Sequence, residues 1–245
     1  MFVLEYKRII KNEKRGLNIF NFKNHLKDGK RNFVFLGETG SGKTEISLVF
    51  ANEIKKIINK EIHIIDMDQT KASFRLRDKE EELRKNGIYL HYGEQLLDTP
   101  IVPHGIETLL QRKDIVTIFD VGGNEAGSIN MGQYSNLINN EYTKNYMVFN
   151  IYRPMSSESS KVYQMLDSIL DSAQAKNIEI IANPNFGEFT EKEDVLSGYK
   201  KTLEVFRETN YEVKGVAVKE ELVDTDLLYA YMNKLMTINR RIIMP

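Results

Sequence analysis

The chain of 245 residues contains no cysteine. This absence excludes disulfides, thiolate metal sites, cysteine-bound iron–sulfur clusters and a cysteine nucleophile. Long apolar runs are also missing, because no stretch approaches the roughly 18 apolar residues of a membrane span. Residues 1–10 lack the continuous apolar core of a signal peptide. We therefore expect no membrane span and no secretion signal, and the lack of cysteine fits a cytoplasmic location.

Neither sign of charge dominates the chain, since 34 Lys and Arg accompany 35 Asp and Glu, for a formal net charge of −1. This balance argues against a surface that binds nucleic acid in general, although it does not bear on a local basic patch. The charge is uneven, however, because residues 1–31 hold nine basic and three acidic side chains. We predict that residues 1–31 form a basic N-terminal extension, which could contact an anionic partner or could simply be solvated.

Hydrophobic residues make up 41% of the chain, which is enough for a sizeable core. Short apolar runs alternate with stretches of helical spacing. The predicted strands are residues 32–36, 61–66, 88–92, 114–119, 146–152, 177–182 and 213–218. The predicted helices are residues 44–58, 79–85, 105–111, 160–173, 192–208 and 224–238. This alternation predicts one α/β domain over residues 32–245, with a doubly wound, mainly parallel sheet and helices on both faces.

The most specific motif is GETGSGKT at residues 37–44, which satisfies the phosphate-loop pattern G-x-x-x-x-G-K-[ST]. It lies between a predicted strand and a predicted helix, as that pattern requires. The glycines allow successive backbone N–H groups to face a phosphate, and the helix N-terminus adds its positive dipole end. Lys43 would reach the β- and γ-phosphates, and the Thr44 hydroxyl would bind Mg²⁺. The predicted phosphate-site residues are Gly37, Glu38, Thr39, Gly40, Ser41, Gly42, Lys43, Thr44 and Glu45.

Carboxylates follow two of the predicted strands. Asp120 ends one strand and opens the sequence D-V-G-G, in which Gly122 and Gly123 would let the backbone approach a γ-phosphate. Asp66 and Asp68 end another, and one of them could contact Mg²⁺ or orient a water molecule. The alternatives are an ordinary Asp–Gly turn and loop solvation. Our predicted metal ligands are Thr44, Asp66 and Asp120, and our predicted catalytic residues are Lys43, Asp68 and Asp120.

Other candidates are less specific. Lys71, Arg75 and Arg77 could stabilise charge on a γ-phosphate, bind an acidic substrate or be surface charges. Asn183 and Pro184 follow a predicted strand, where the Asn amide could pair with a purine edge or the two residues could form a turn. The histidines show no metal-ligand spacing, and no G-x-S-x-G motif supports a serine hydrolase.

The phosphate loop, the D-x-D after the second strand, the D-V-G-G and the later Asn together resemble the CobQ/MinD/ParA-type nucleotide-binding superfamily of the SIMIBI class. The resemblance covers residues 32–222 and is strongest to a branch of uncharacterised bacterial ATP-binding proteins. That branch carries G-S-G-K-T-E, F-R-x-R, D-V-G-G and N-P-N-x-G. These motifs occur here at residues 40–45, 74–77, 120–123 and 183–187.

The resemblance implies ATP, ADP and Mg²⁺ as cofactors. It implies that Asp68 lies near the hydrolytic water, that Asn183 reads adenine, and that backbone near Val218 wraps the base. The N-K-x-D of simple GTPases is absent. MinD-like relatives place a Lys after the first glycine of the loop, which reaches across a homodimer. This chain has Glu38 at that position, so it lacks the Lys that crosses the dimer, and its loop is more similar to the dethiobiotin-synthetase type. The resemblance therefore leaves open whether the chain forms a homodimer.

Three functions fit the sequence. The first is an ATPase that acts as a nucleotide-dependent switch on a partner protein. The second is an ATP-dependent ligase or kinase for a small metabolite, as in dethiobiotin-synthetase-like proteins. The third is a nucleotide-gated binding module with negligible turnover, which could dock through the basic N-terminal extension.

Overall fold

The computed structural model describes most of the chain after its N-terminal segment. The described residues are 22–67, 74–93, 105–123, 125–156, 158–224, 226–227, 231 and 234–238. Asp68 and Lys71 lie outside them, as does most of the basic N-terminal extension.

A parallel sheet of eight strands forms the centre of the described structure, in the order β3-β2-β4-β1-β5-β6-β7-β8. Every neighbouring pair in the sheet is parallel. The strands are β1 (Asn32–Leu36), β2 (Glu61–Asp66), β3 (Ile88–Tyr92), β4 (Ile115–Asp120), β5 (Thr143–Phe149), β6 (Ile178–Ala182), β7 (Glu212–Lys219) and β8 (Leu235–Ile238).

Helices connect these strands. The described α-helices are α1 (Phe22–Lys27), α2 (Lys43–Ile57), α3 (Phe74–Arg77), α4 (Glu80–Lys85), α5 (Ile106–Gln111), α6 (Glu125–Gly132), α7 (Ser135–Ile138), α8 (Ser159–Ala173) and α9 (Lys192–Phe206). The predicted fold class, an α/β domain with a parallel sheet, is confirmed.

The hydrophobic core divides into two clusters because successive strand residues point to opposite faces of the sheet. Phe33 and Phe35 of β1 belong to the cluster that α2 covers with Ile46 and Phe50. Val34 and Leu36 of the same strand belong to the other cluster. Buried residues of α8 and α9 complete that second cluster. The sheet is therefore covered on both faces, which explains why its strands are nearly continuous apolar runs.

The predicted C-terminal helix over residues 224–238 is wrong at its end. Residues 235–238 form β8, which pairs in parallel with Val216 to Lys219 of β7. Leu235, Met236 and Ile238 are buried in the strand. The apolar spacing of the preceding residues resembles a helix and continues into this run, so spacing alone did not show where the strand begins. The strand predicted over residues 213–218 is consequently not the last one.

Among the described residues, no helix is long and apolar enough to cross a membrane. The predicted site residues instead collect where parallel strands end. The carboxyl ends of β1, β2, β4 and β6 lie along one edge of the sheet, and each is followed by one of the motifs found in the sequence. This edge is where α/β proteins with open sheets bind ligands.

Two histidines lie side by side on β2 and on β3, the outermost strand of the sheet next to it. His63 of β2 and His91 of β3 have ring centroids 5.0 Å apart, and Nδ1 of His63 lies 2.8 Å from Nε2 of His91. Burial lowers the pKa of His63, and burial followed by the charge of His63 lowers the pKa of His91. The folded protein therefore favours the neutral form of both rings.

We predict that mild acid destabilises the folded protein through this histidine pair, at pH values above those at which most carboxylates become protonated. Because both folded pKa values lie below the ordinary value of 6.5, the unfolded chain binds more protons there. The free energy of unfolding should fall as the pH drops from about 7.5 to about 5.5, by at most about 1.4 kcal/mol per pH unit for each proton taken up. Urea unfolding at both pH values measures this.

The variant His91→Gln should show a smaller loss over the same pH range than the wild-type protein. A free energy of unfolding that is unchanged or higher at the acidic pH would contradict the prediction.

Candidate phosphate-binding site

The phosphate loop (residues 37–44) leaves the end of β1 and enters α2. Its three glycines all have positive φ, at 146° for Gly37, 73° for Gly40 and 95° for Gly42. Other side chains rarely adopt this backbone, so the loop needs glycine at these positions. Gly42 is also the N-cap of α2, so the first N–H groups of a 15-residue helix open onto the loop.

Lys43 and Thr44 occupy the first turn of α2. The Lys43 side chain is buried, and its Nζ donates to the carbonyl oxygen of Glu38 at 2.9 Å. The ammonium therefore folds back over its own loop, where an incoming phosphate could replace the carbonyl as its partner. Burial raises the pKa of the Glu38 carboxyl, while the positive charges of Arg153 and Lys43 lower it.

Asp66 and Asp120 are paired in register at the ends of β2 and β4. Both side chains are buried, at 3% and 1% exposure. Neighbouring strands lie about 4.8 Å apart, so two carboxylates meet beside the phosphate loop. Carboxylate and hydroxyl oxygens are the ligands that Mg²⁺ prefers, so Thr44, Asp66 and Asp120 fit a magnesium site. A cluster of three or more His, Asp or Glu side chains able to hold a metal is not found in the part of the chain that the structure describes.

The D-V-G-G loop touches the phosphate loop directly. A Cβ atom on Gly123 would lie 2.3 Å from the backbone N of Thr39, far inside van der Waals contact. Gly122 is packed just as closely, because a Cβ on Gly127 would lie 2.7 Å from the Cα of Gly122. The backbone after Asp120 is therefore in direct contact with the phosphate loop.

Asn183 lies against the phosphate loop from the other side. Its Nδ2 donates to the carbonyl oxygen of Ser41 at 2.7 Å, whereas its Oδ1 has no hydrogen-bond partner among the residues that the structure describes. The side chain is 2% exposed. Asn183 therefore joins the loop after β6 to the phosphate loop. Its predicted contact with adenine stays a prediction.

Pro184 and Val218 are the remaining residues that the sequence predicted to bind the nucleotide. Pro184 is buried beside Asn183, and its Cβ lies 2.5 Å from the Cβ position of Gly198 in α9. Val218 lies inside β7, and its side chain belongs to the hydrophobic core. The residue that ends this strand, Lys219, donates from Nζ to the carbonyl oxygen of Glu188 at 3.0 Å and thereby connects β7 to the loop after β6.

Two of the three basic candidates are not described at side-chain level, since Lys71 is outside the described residues and Arg75 is described only in its backbone. The third, Arg77, stacks over the ring of Tyr92, with its Cζ 4.2 Å from the ring centroid. This contact is at the end of β3, an edge strand that is separated from β1 by two others.

The sequence analysis missed Arg153. It predicted a strand over residues 146–152, but β5 ends at Phe149 and a loop with a 3₁₀ turn at Pro154–Ser156 follows. Arg153 Nε donates to the carbonyl oxygen of Gly40 at 2.8 Å. A basic residue and a proline directly after an apolar strand were the available signal, because proline disfavours continuation of a central strand.

No protein-family model and no curated protein matches the chain. Solved structures do match its fold. Cell division protein FtsY from Thermotoga maritima matches with a TM-score of 0.52 and 16% identity, over 80% of this chain and 68% of that one. FlhF in complex with GTP and Mg²⁺ matches with a TM-score of 0.50 and 16% identity, over 76% and 65%.

The 54 kDa protein of the signal recognition particle from Aeropyrum pernix, in complex with GDP, matches with a TM-score of 0.51 and 14% identity. That match spans 86% of this chain and 51% of the other. At these identities the likeness is one of fold. The chain shares with these proteins an α/β fold built on a parallel sheet.

We predict that Gly123→Ala weakens nucleotide binding, because the added Cβ would collide with the backbone of Thr39 and push the two loops apart. We expect a loss of about tenfold or more in affinity, which equilibrium titration with a fluorescent ATP analogue measures.

Gly29→Ala is the control, because Gly29 precedes β1 at the opposite edge of the sheet and has open space around its Cβ position. Its φ of 77° costs Ala about 1–2 kcal/mol of stability but leaves the phosphate loop alone. Equal affinities for the Gly123→Ala and wild-type proteins would refute the close-packing argument.

Proposed function

We propose that this protein is an ATPase that binds Mg²⁺ and ATP and acts as a nucleotide-dependent switch on a partner protein. The observation that carries this proposal is the convergence of a complete phosphate loop with the in-register pair Asp66 and Asp120. The parallel sheet brings them to one edge from three separate strands. The resemblance of the motifs to the CobQ/MinD/ParA-type superfamily, and to its branch of uncharacterised bacterial ATP-binding proteins, supports the finer assignment to ATP.

Binding would begin at the phosphate loop. Its N–H groups and the N-terminus of α2 would surround the β-phosphate, and Lys43 Nζ would exchange the Glu38 carbonyl for phosphate oxygens. Thr44, Asp66 and Asp120 would hold magnesium, which supplies charge neutralisation to the phosphates when bound. Water oxygen would then attack the γ-phosphorus in line, and the bond to the β–γ bridging oxygen would break to give ADP and phosphate. Asp68 is our candidate for orienting that water.

The switch would act through the D-V-G-G loop. Departure of the γ-phosphate would release Gly122 and Gly123, which lie between the phosphate loop and α6. The same helix packs closely on α8, since a Cβ on Gly132 would lie 2.7 Å from the carbonyl oxygen of Ser172. A shift of α6 would also move Ile129, which is 52% exposed. This helix is therefore our candidate for the surface that a partner senses.

The base preference that we propose is for adenine. The Watson–Crick edge of guanine offers two adjacent donors, which a carboxylate accepts well, whereas an Asn amide can serve as donor and acceptor to adenine. Residues 183–187 contain two asparagines and no carboxylate. We expect the wild-type protein to bind ATP at least about tenfold more tightly than GTP in equilibrium titration. Tighter binding of GTP would overturn this part of the proposal.

A second candidate is phosphoryl transfer to a small metabolite, which Glu38 favours. This residue stands where MinD-like relatives place the lysine that crosses a dimer. In this chain its carboxyl instead interacts with Lys43 and Arg153 of the same chain. An active site completed within one subunit suits an enzyme of metabolism.

We predict that Lys43→Ala abolishes ATP turnover, because the variant loses the ammonium that neutralises the transferring phosphoryl group. We expect a fall of at least about 100-fold in ADP release. Lys56→Ala is the matched control, since Lys56 lies on the same helix with a 53% exposed side chain and should behave like the wild type. The assay is run with and without a panel of metabolites.

Turnover that depends on Lys43 and is indifferent to metabolites supports the switch. Turnover that rises with one metabolite and phosphorylates it supports the second candidate. Slow hydrolysis that Lys43→Ala leaves unchanged would contradict both.

A further inference from the structure

Arg153 lies on the phosphate loop but belongs to another part of the chain. Its Nε donates to the carbonyl oxygen of Gly40 at 2.8 Å, over a sequence separation of 113 residues. Its Nη2 lies 1.5 Å from where a Cβ of Gly40 would be. The guanidinium therefore rests on the Cα of Gly40, and that position needs glycine for space as well as for its positive φ.

The loop that carries Arg153 is held firmly. Ser156 Oγ donates to the carbonyl oxygen of Asn150 at 2.9 Å, and the backbone N of Arg153 donates to the same oxygen at 3.1 Å. Asn150 Nδ2 donates to the carbonyl oxygen of Asn185 at 2.8 Å, which connects this loop to the one after β6. The guanidinium thus projects from a rigid turn, a geometry that reduces the entropy cost of binding a ligand.

Among the described residues, the terminal amino groups of the guanidinium have no hydrogen-bond partner. The hydrogen bond to Gly40 uses Nε, and within the described ranges no ion pair of 4.0 Å or shorter involves Arg153. Glu38, a residue of the phosphate loop itself, contributes a negative charge close to Arg153. Two terminal amino groups of an arginine form a fork that suits the oxygens of a phosphate.

We propose that Arg153 is a ligand of the nucleotide's phosphate chain, supplied by the same subunit as the phosphate loop. This inference rests on the proposed function and extends it, since it adds a second fixed cation to Lys43. Arg153 keeps its bond to Gly40 through Nε while its terminal amino groups turn to the phosphates. The residue belongs to β5's loop, next to β1 on the side away from Asp66 and Asp120, so the phosphates lie between it and the metal ligands.

A structural role for Arg153 gives a different expectation from a phosphate contact, and two variants separate them. Arg153→Gln keeps an N–H donor for the Gly40 carbonyl and removes the charge. Arg153→Lys keeps the charge and loses the fork. If Arg153 binds phosphate, Arg153→Gln weakens binding of Mg·ATP and Mg·ADP by about 10- to 100-fold, and Arg153→Lys by less. If it only fixes the loop, the Gln variant binds at least as well as the Lys variant.

The experiment is isothermal titration of the full chain with Mg·ATP and Mg·ADP. It compares the wild-type protein, both Arg153 variants, Lys43→Ala and Arg207→Ala. The Arg207 side chain is 75% exposed at the end of α9, at the opposite edge of the sheet. The Arg207→Ala variant is therefore the control and should bind nucleotide as the wild type does. Raising the salt concentration should also weaken binding less in Arg153→Gln than in the wild type, because one charge contact is gone.

The inference is overturned if Arg153→Gln binds within about twofold of the wild type, or if it binds more tightly than Arg153→Lys. In that case a Lys43-dependent affinity in the wild type would leave the proposed function standing. A wild-type protein that binds neither nucleotide would overturn the proposed function, and this inference with it.

Discussion

Close packing around the phosphate loop is the constraint on which the rest of the site depends. Backbone or side-chain atoms occupy the Cβ positions of all three of its positive-φ glycines: Val148 O at Gly37, Arg153 at Gly40 and Asn183 at Gly42. The D-V-G-G loop touches the same segment at Thr39. Loops after three other strands therefore meet one loop, and none can move without the others adjusting. Glycine at these positions serves assembly of the site as well as backbone conformation.

Burial of charge at this edge also shapes the site. Asp66, Asp120 and Lys43 are each no more than 5% exposed, although buried ionised groups are costly unless other groups compensate them. Two ionised carboxylates in register on adjacent strands would repel each other. A cation between them and a polyanion beside Lys43 would offset these costs. The arrangement is thus the form expected of a site that is completed by its ligand.

Sequence alone predicted much of the fold, and it also indicated residues that the structure brings together at the centre of the candidate site, because both depend on local signals. The glycine spacing of the phosphate loop and the apolar run before Asp120 are contained within a few residues. The position of Arg153 and the strand β8 were not predicted, because both depend on contacts between residues that are distant in the sequence. Arg153 contacts Gly40, and residues 235–238 pair with β7. The order of the strands in the sheet could not be predicted from the sequence either, although this order places Asp66 beside Asp120. Asp68 lies outside the described residues, so its role stays a prediction.

The most direct test of the account is a crystal structure of the protein with Mg²⁺ and a non-hydrolysable ATP analogue. The account predicts the β-phosphate within the phosphate loop, and it predicts that Lys43 Nζ has left the Glu38 carbonyl, now 2.9 Å away, for phosphate oxygens. It also predicts a magnesium ion between Thr44 and the pair Asp66 and Asp120. A nucleotide bound elsewhere, or a Lys43 that still donates to Glu38 with nucleotide present, would contradict it.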